Sequence, residues 1–367
     1  MNPLIPVTLL TGFLGSGKTT ILNHLMQQPE MADTLVIINE FGEIPLDHML
    51  VVHSIENVVM EMSSGCLCCT IRGDLVKTLR DITWRFSRNG QRQFQRVLIE
   101  TTGLADPAPI IHTLLNDPQV AGRYRLDGIV TAIDMATGNQ TFDTHVEAIK
   151  QAAVADCLLL TKMDLIAAID KQALLQRLDA INPAAPRWQV DQGCVEPSKL
   201  LNLGLFSTDG KTPDVARWLQ EDAYATSALH HDHHGHAHDV NRHDDHIKAF
   251  CFTVDDPIPE DKLAAWLELL TAFVGSNILR VKGILNIQDH DGPLVIQGVQ
   301  HVFHPPVSLP AWPNEDRRSK FVFITQDVGR ETIESLLQAL KNTPEHRVTG
   351  FPDVARRGDQ VGLPGNR

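Results

Sequence analysis

No apolar run in these 367 residues approaches the roughly 20 that a membrane-spanning helix requires. An excess of positive charge is missing too: 32 Lys and Arg stand against 45 Asp and Glu, a formal net charge of −13. Nucleic-acid backbones call for a basic face, and an anionic membrane surface repels such a chain, so neither partner is expected. Little precedes the first apolar run, Val7 to Leu10, and the expectation from this start is a cytoplasmic protein without a signal peptide. Cysteine is scarce, six in all, and in the cytoplasm these should be free thiols. Three of them, Cys66, Cys68 and Cys69, crowd into four positions, which suggests metal chemistry before disulfides.

What remains is an ordinary globular composition, 43% hydrophobic and 21% charged, long enough for two domains with separate cores. Its most specific stretch is Gly12-Phe13-Leu14-Gly15-Ser16-Gly17-Lys18-Thr19, followed by Thr20. The run Val7 to Leu10 reads as a strand and Lys18 to Gln28 as a helix, the context of a Walker A loop. Glycines let backbone N–H groups wrap an anion, and the helix N-terminus adds the positive end of its dipole. Lys18 is expected at the β- and γ-phosphates, and the Thr19 hydroxyl on Mg²⁺. A nucleoside triphosphate is the predicted ligand.

Short apolar, often β-branched runs follow at Leu35 to Ile38, Val58 to Met62, Val97 to Ile99, Ile129 to Ile133 and Leu158 to Leu160. Strands buried on both faces of a parallel sheet have this composition. Helical patterns lie between several of them: Asp74 to Ser87, Pro107 to Leu115 with Asp106 as its cap, His145 to Ala153, and Lys171 to Ala180. The alternation predicts a doubly wound, mostly parallel α/β domain over residues 1–222, with a further short helix at Asp214 to Asp222. In His230 to His246, 8 of 17 residues are histidine, with almost nothing to bury, so residues 223–246 read as a mobile linker. A smaller α+β domain with a mostly antiparallel sheet is expected over 247–343. Its strands are Ile247 to Val254, Ile278 to Ile287, Pro293 to Phe303 as two short strands or one bent one, and Phe321 to Thr325, and its helices Glu260 to Phe273 and Glu331 to Leu340. The remainder, 344–367, is rich in Pro, Gly and Arg and is expected to be disordered.

Ligands of such sheets gather at the carboxyl ends of the strands, which makes the residues after each run the site candidates. Glu100, closing Arg96 to Ile99, is the expected Walker B carboxylate for Mg²⁺, and Gly103 lets the backbone approach the γ-phosphate. After Leu160 come Thr161-Lys162-Met163-Asp164, where Asp164 can accept two hydrogen bonds from a guanine edge and the Lys162 stem can cover the base. That favours GTP over ATP, although threonine stands at 161 where guanine-binding motifs carry asparagine. Glu40 and Glu43 in Asn39-Glu40-Phe41-Gly42-Glu43 can face Mg²⁺, the hydrolytic water or a second metal, in a loop placed to sense the γ-phosphate. In Ser63-Ser64-Gly65-Cys66-Leu67-Cys68-Cys69, an extended chain points Cys66 and Cys68 the same way, and Cys69 joins them if the chain turns. Thiolates suit Zn²⁺, with Co²⁺ or Ni²⁺ as alternatives, and Glu40 or a histidine can supply a fourth ligand. Among the linker histidines, His230, His231, His233, His234, His236 and His238 read as a separate metal-collecting segment.

Taken in order, GFLGSGKTT, NEFGE, GCLCC, the glutamate of ETTG, and TKMD resemble the CobW-like family of SIMIBI-class GTPases. RVKGIL from Arg280 and QGVQ from Gln297 resemble that family's C-terminal domain, so the likeness spans about Pro6 to Leu340. The resemblance implies a low-turnover GTPase that inserts or delivers a transition metal to a client metalloprotein. Lys18, Glu100 and Glu40 are the residues expected to serve hydrolysis, with Glu40, Glu43 and Glu100 the candidates to orient the water. Members differ in metal and client, and homodimerisation stays open. Two other readings compete: a metal store with a vestigial nucleotide site, and a P-loop kinase. The complete Lys18, Thr19 and Glu100 set opposes the first, and the lack of a recognisable acceptor base opposes the second.

Overall fold

The computed structural model describes residues 3–38, 59–61, 68–204, 219 and 246–342, with the backbone alone at 59–61, 68–74 and 339–342. The predicted helix at Asp214 to Asp222, apart from Leu219, and the linker histidines lie outside the described residues, as does the segment after 342.

Two sheets organise these residues. Seven parallel strands form the first: β1 (Ile5–Gly12), β2 (Thr34–Ile38), β3 (Val59–Glu61), β6 (Arg96–Glu100), β7 (Tyr124–Asp134), β8 (Cys157–Thr161) and β9 (Arg187–Val190). Their spatial order is β3-β2-β6-β1-β7-β8-β9. Helices flank this sheet: α1 (Lys18–Leu25), α2 (Cys68–Arg85), α3 (Ala108–Asn116), the short α4 (Pro118–Ala121), α5 (Gly138–Thr144), α6 (Val146–Ala153) and α7 (Ala168–Ile181). A small hairpin, β4 (Ser87–Arg88) with β5 (Gln91–Arg92), links α2 to β6. Every residue of β1, β2 and β8 is buried, which explains their mostly apolar character: helices cover both faces. Strand β1 pairs with β6 on one side and β7 on the other, so the chain leaving β1 enters the crevice where the strand order diverges.

The second sheet is antiparallel, β10 (Ile247–Val254), β15 (Ser319–Gln326), β11 (Ile278–Leu285), β12 (Leu294–Val299) and β13 (Val302–Phe303), with β14 (Val307–Ser308) also on β12. Helices α8 (Glu260–Val274) and α9 (Arg330–Asn342) accompany it, and Trp266, Leu270 and Ile333 pack with Phe250, Phe252, Phe321 and Phe323 in one core. Ile247, Leu279, Val299, Val322 and Ile324 belong instead to the buried cluster of the first domain. The second sheet is therefore sandwiched between its own helices and the parallel-sheet domain. No helix among the described residues is long and apolar enough to cross a membrane.

Polar contacts fasten the same seam. The Arg280 guanidinium donates to the Val154 carbonyl, just past α6, and to Asp156 Oδ1, and Lys282 Nζ lies 3.3 Å from the same Oδ1. Burial pushes the Asp156 carboxyl up, yet Arg280 and Lys282 together outweigh it and hold the group below the usual carboxylate range. For Lys282, burial and the neighbouring Arg280 pull the ammonium down to about 8 against the attraction of Asp156. Arg280, Gln297 and His304 line a small cavity there with Asp127, Ile129 and Asp156. RVKGIL and QGVQ thus sit at the domain seam.

Candidate functional site

At the carboxyl end of β1 the phosphate-loop residues adopt the conformation their glycines predict. Gly12, Gly15 and Gly17 have φ of 139°, 74° and 89°, left-handed values that residues with a Cβ rarely adopt. A Cβ on Gly12 would also sit 2.4 Å from the Ala132 carbonyl oxygen, so the loop is pressed against the end of β7. Ser16 Oγ is buried and has no hydrogen-bond partner among the described residues. A buried hydroxyl without a partner, beside a backbone curled around open space, is the cradle an anion fills. Lys18, buried, donates its Nζ to the carbonyls of Gly12 (2.9 Å) and Phe13 (3.1 Å) at the mouth of that cradle.

Thr19 and Glu100 lie together beside the loop. Thr19 Oγ1 donates to Glu100 Oε1 at 3.1 Å, joining the first turn of α1 to the end of β6, and Glu100 is buried. A hydroxyl and a carboxylate oxygen together form a hard oxygen donor pair of the kind Mg²⁺ takes. Next to them, a Cβ on Gly103 would lie 2.6 Å from the Leu14 backbone nitrogen, so the chain after Glu100 runs in backbone contact with the phosphate loop. Gln151 on α6 holds that segment, its Nε2 donating to the carbonyls of Gly103 (3.2 Å) and Ala105 (2.9 Å).

Threonine at 161 has a structural explanation. Its Oγ1 lies 2.9 Å from the Ser16 carbonyl and 3.1 Å from that of Ile133, tying β8 to the phosphate loop and to β7. Lys162 follows with φ 53° and its Nζ 2.7 Å from Asp134 Oδ2, which holds the lysine stem at the ends of β7 and β8. Asp134 is itself fixed, because its Oδ1 accepts from the backbone N–H of Ala136 (2.9 Å) and of Thr137 (3.3 Å). Asp164 is exposed two residues further on.

Three features escaped the sequence reading. The loop Asp191 to Cys194, after β9, packs on the start of α1: a Cβ on Gly193 would lie 2.5 Å from the Thr20 carbonyl oxygen. The half-exposed edge strand β9 offers no apolar run to announce that loop, although Gly193 was a signal. Helix α5 was missed because Gly138, Asn139 and two threonines are poor helix formers. The stack of Phe13 on His145, with centroids 4.4 Å apart, joins residues too distant in sequence to pair by inspection.

The thiolate motif is only partly described. Cys68 and Cys69 open helix α2, six residues before the predicted start at Asp74, so they lie on a helical turn rather than in an extended segment. The extended alternation expected of Cys66 and Cys68 therefore does not extend through Cys68. Cys66, Glu40, Glu43 and His230 to His238 lie outside the described residues, and among those described no three His, Cys, Asp or Glu gather as a metal would require. Helix α3 begins at Ala108, one position later than predicted, and the Ala108 N–H donates to Asp106 Oδ1 at 2.9 Å.

Comparison with known proteins agrees with this geometry. Residues 6–189 match the CobW/HypB/UreG nucleotide-binding domain, and residues 247–341 the cobalamin synthesis protein cobW C-terminal domain. The zinc chaperone YjiA of Escherichia coli K12 is 33% identical over 342 residues, which span 93% of this chain and all (100%) of that protein. Zinc-regulated GTPase metalloprotein activator 1 of Schizosaccharomyces pombe is 28% identical over 319 residues, 82% of this chain and 76% of that protein. The crystal structure of Zn(II)-bound YjiA GTPase from E. coli superposes with a TM-score of 0.67 at 28% identity, covering 93% of this chain and 100% of that one. The chain belongs to the CobW/HypB/UreG family of nucleotide-binding proteins and carries a CobW C-terminal domain.

Proposed function

We propose that this protein is a GTP-hydrolysing zinc chaperone that passes the metal to a client metalloprotein. The observation that carries the nucleotide half is the Thr19–Glu100 hydrogen bond at 3.1 Å beneath the left-handed phosphate loop. In this reading the backbone from Gly12 to Thr20 and the Ser16 hydroxyl bind the phosphates. Lys18 leaves the Gly12 and Phe13 carbonyls to neutralise the β- and γ-oxygens. Thr19 and Glu100 hold Mg²⁺, which supplies positive charge where the transferring phosphoryl group accumulates negative charge. Lys162 and Asp164 recognise guanine, with Thr161 fastening their turn to the phosphate loop. Gly103, in contact with Leu14, carries the γ-phosphate state into the chain that follows.

Zinc is cargo here rather than a resident cofactor. Cys66, Cys68 and Cys69 are its proposed ligands, with Glu40 as a hard fourth donor and the histidines His230 to His238 as a collecting segment. Two of the thiols begin helix α2, and the zinc-chaperone names of the relatives support zinc over cobalt or nickel. Residues 1–222 act as the GTPase and 247–343 as the domain that reads its state. The decisive measurement is zinc affinity of the reduced protein with a non-hydrolysable GTP analogue and with GDP. A clear difference is expected, lost in Cys66→Ala/Cys68→Ala/Cys69→Ala. Equal affinities in both nucleotide states would end this reading.

A further inference from the structure

The outer face of α2 has no part in the nucleotide or thiolate chemistry, and it combines exposed cations with an exposed aromatic ring. Lys77, Arg80 and Trp84 are exposed at spacings of three and four residues, so they share one face of the helix. Trp84 is 81% exposed, the highest value among the large apolar residues described. Arg85 and Arg88 are exposed immediately after it, and Arg123 reaches the same helix by donating to Thr83 Oγ1 at 3.3 Å. Residues 77–96 hold six Lys or Arg and one acid, in a chain whose net charge is −13.

Structural duties account for some of these cations and not for others. Arg96 pairs with buried Asp127, while Arg92 donates to the Phe94 carbonyl and covers its ring. Arg80 lies 3.1 Å from its neighbour Asp81. Lys77, Arg85 and Arg88 have no ion-pair partner among the described residues. Positive charges around a solvated tryptophan form a recognisable type of contact surface, since Trp and Arg dominate the energetics of protein interfaces. The fit is to a negatively charged segment with an apolar residue to cover the indole. An extended nucleic acid is a poorer fit, because the basic surface is one short helix on an acidic molecule.

We propose that the Lys77–Arg80–Trp84 face of α2, extended by Arg85 and Arg88, docks an acidic segment of a partner protein. Helix α2 is one continuous helix whose first residues are Cys68 and Cys69, so a partner held at Trp84 is held roughly 24 Å along the helix axis from Cys68. That this partner is the zinc acceptor rests on the function proposed above; the docking surface itself does not.

The test uses the full chain and a short fluorescein-labelled peptide rich in glutamate with one central phenylalanine, read by fluorescence anisotropy. The wild type should bind it, more weakly as salt rises. Trp84→Ala and Lys77→Glu/Arg88→Glu should each weaken binding by at least about tenfold. All these side chains are exposed, so melting temperature, GTP hydrolysis and zinc affinity should be unchanged. No peptide binding, or equal binding by the variants, overturns the proposal. So does tighter binding of an equally charged DNA oligonucleotide or of anionic vesicles through the same residues. A wild-type dimer that Trp84→Ala converts to monomers would overturn it in favour of a second copy. Should zinc affinity ignore the nucleotide while the peptide behaves as expected, the zinc reading fails and the docking surface stands.

Discussion

Gln300 Nε2 donates to Asp106 Oδ2 at 2.8 Å, a hydrogen bond from the turn between β12 and β13 to the segment that follows Glu100. The other oxygen of Asp106 caps α3, and Gln151 holds Gly103 and Ala105 a few residues earlier. One segment is thus in contact with the phosphate loop, with α6 and with the C-terminal domain. Gln300→Ala should cost about 1 kcal/mol, the usual worth of one such bond. Asp106→Ala should cost about 2 kcal/mol, since it also removes a helix cap. Hydrogen exchange should quicken at residues 103–106 in both variants; unchanged exchange would mean that the segment is held without Gln300.

Thr161 answers for the absent asparagine. Because its hydroxyl lies between the Ser16 and Ile133 carbonyls, Thr161→Val keeps the shape and removes the only donor. Stability should fall by about 1–2 kcal/mol, and guanine-nucleotide affinity with it, as the turn carrying Lys162 and Asp164 loosens from the phosphate loop. Chemical denaturation and GDP titration of one preparation test both, and intact affinity would separate the turn from base binding.

Gly103 is required by proximity rather than by dihedral angle. Gly103→Ala places a methyl carbon 2.6 Å from the Leu14 nitrogen, a backbone collision that no rotamer relieves. The phosphate loop or the segment after Glu100 must shift, so GTP hydrolysis should fall by at least about tenfold and the melting temperature should fall with it. Gly15→Ala makes a useful comparison: a Cβ there meets nothing within 4 Å, so only the cost of its φ of 74° remains. Equal effects of the two substitutions would refute the collision argument.

The domain seam should respond to acid. Burial and the positive charge of Arg280, against the pull of Asp156, hold the His304 imidazole down at about 4, where 6.5 is ordinary. Above pH 6.5 the ring is neutral in folded and unfolded chains alike. As the pH falls from 6.5 to 4 the unfolded chain takes up a proton that the folded chain refuses, so stability is lost across that window. Lys282, at about 8, stays charged throughout. The loss is bounded at about 3 kcal/mol. Melting temperatures measured between pH 7 and pH 4 should decline less in His304→Gln than in the wild type; parallel curves would acquit His304.

Much of the fold was legible because its signals are local. A strand buried on both faces is apolar along most of its length, so β1, β2, β6, β7 and β8 announced themselves as runs, with ends up to five residues longer in the structure. The phosphate loop was legible for a related reason, since only glycine tolerates its φ values. Strand β9 and helix α5 were not, because an edge strand alternates weakly and Gly138 and Asn139 disguise a helix that tertiary packing stabilises.

The sequence by itself determined most of the elements, the phosphate cradle, the carboxylate at the end of β6 and the crowding of cysteines, all properties of neighbouring residues. Tertiary structure alone decided that Thr161 ties β8 to Ser16, that Asp134 holds Lys162, and that Arg280 and Gln300 bind the C-terminal domain to Asp156 and Asp106. Those partners stand 28 to 194 positions apart. Which of many polar residues meet at such separations depends on how the sheets twist and pack, and no local pattern encodes it.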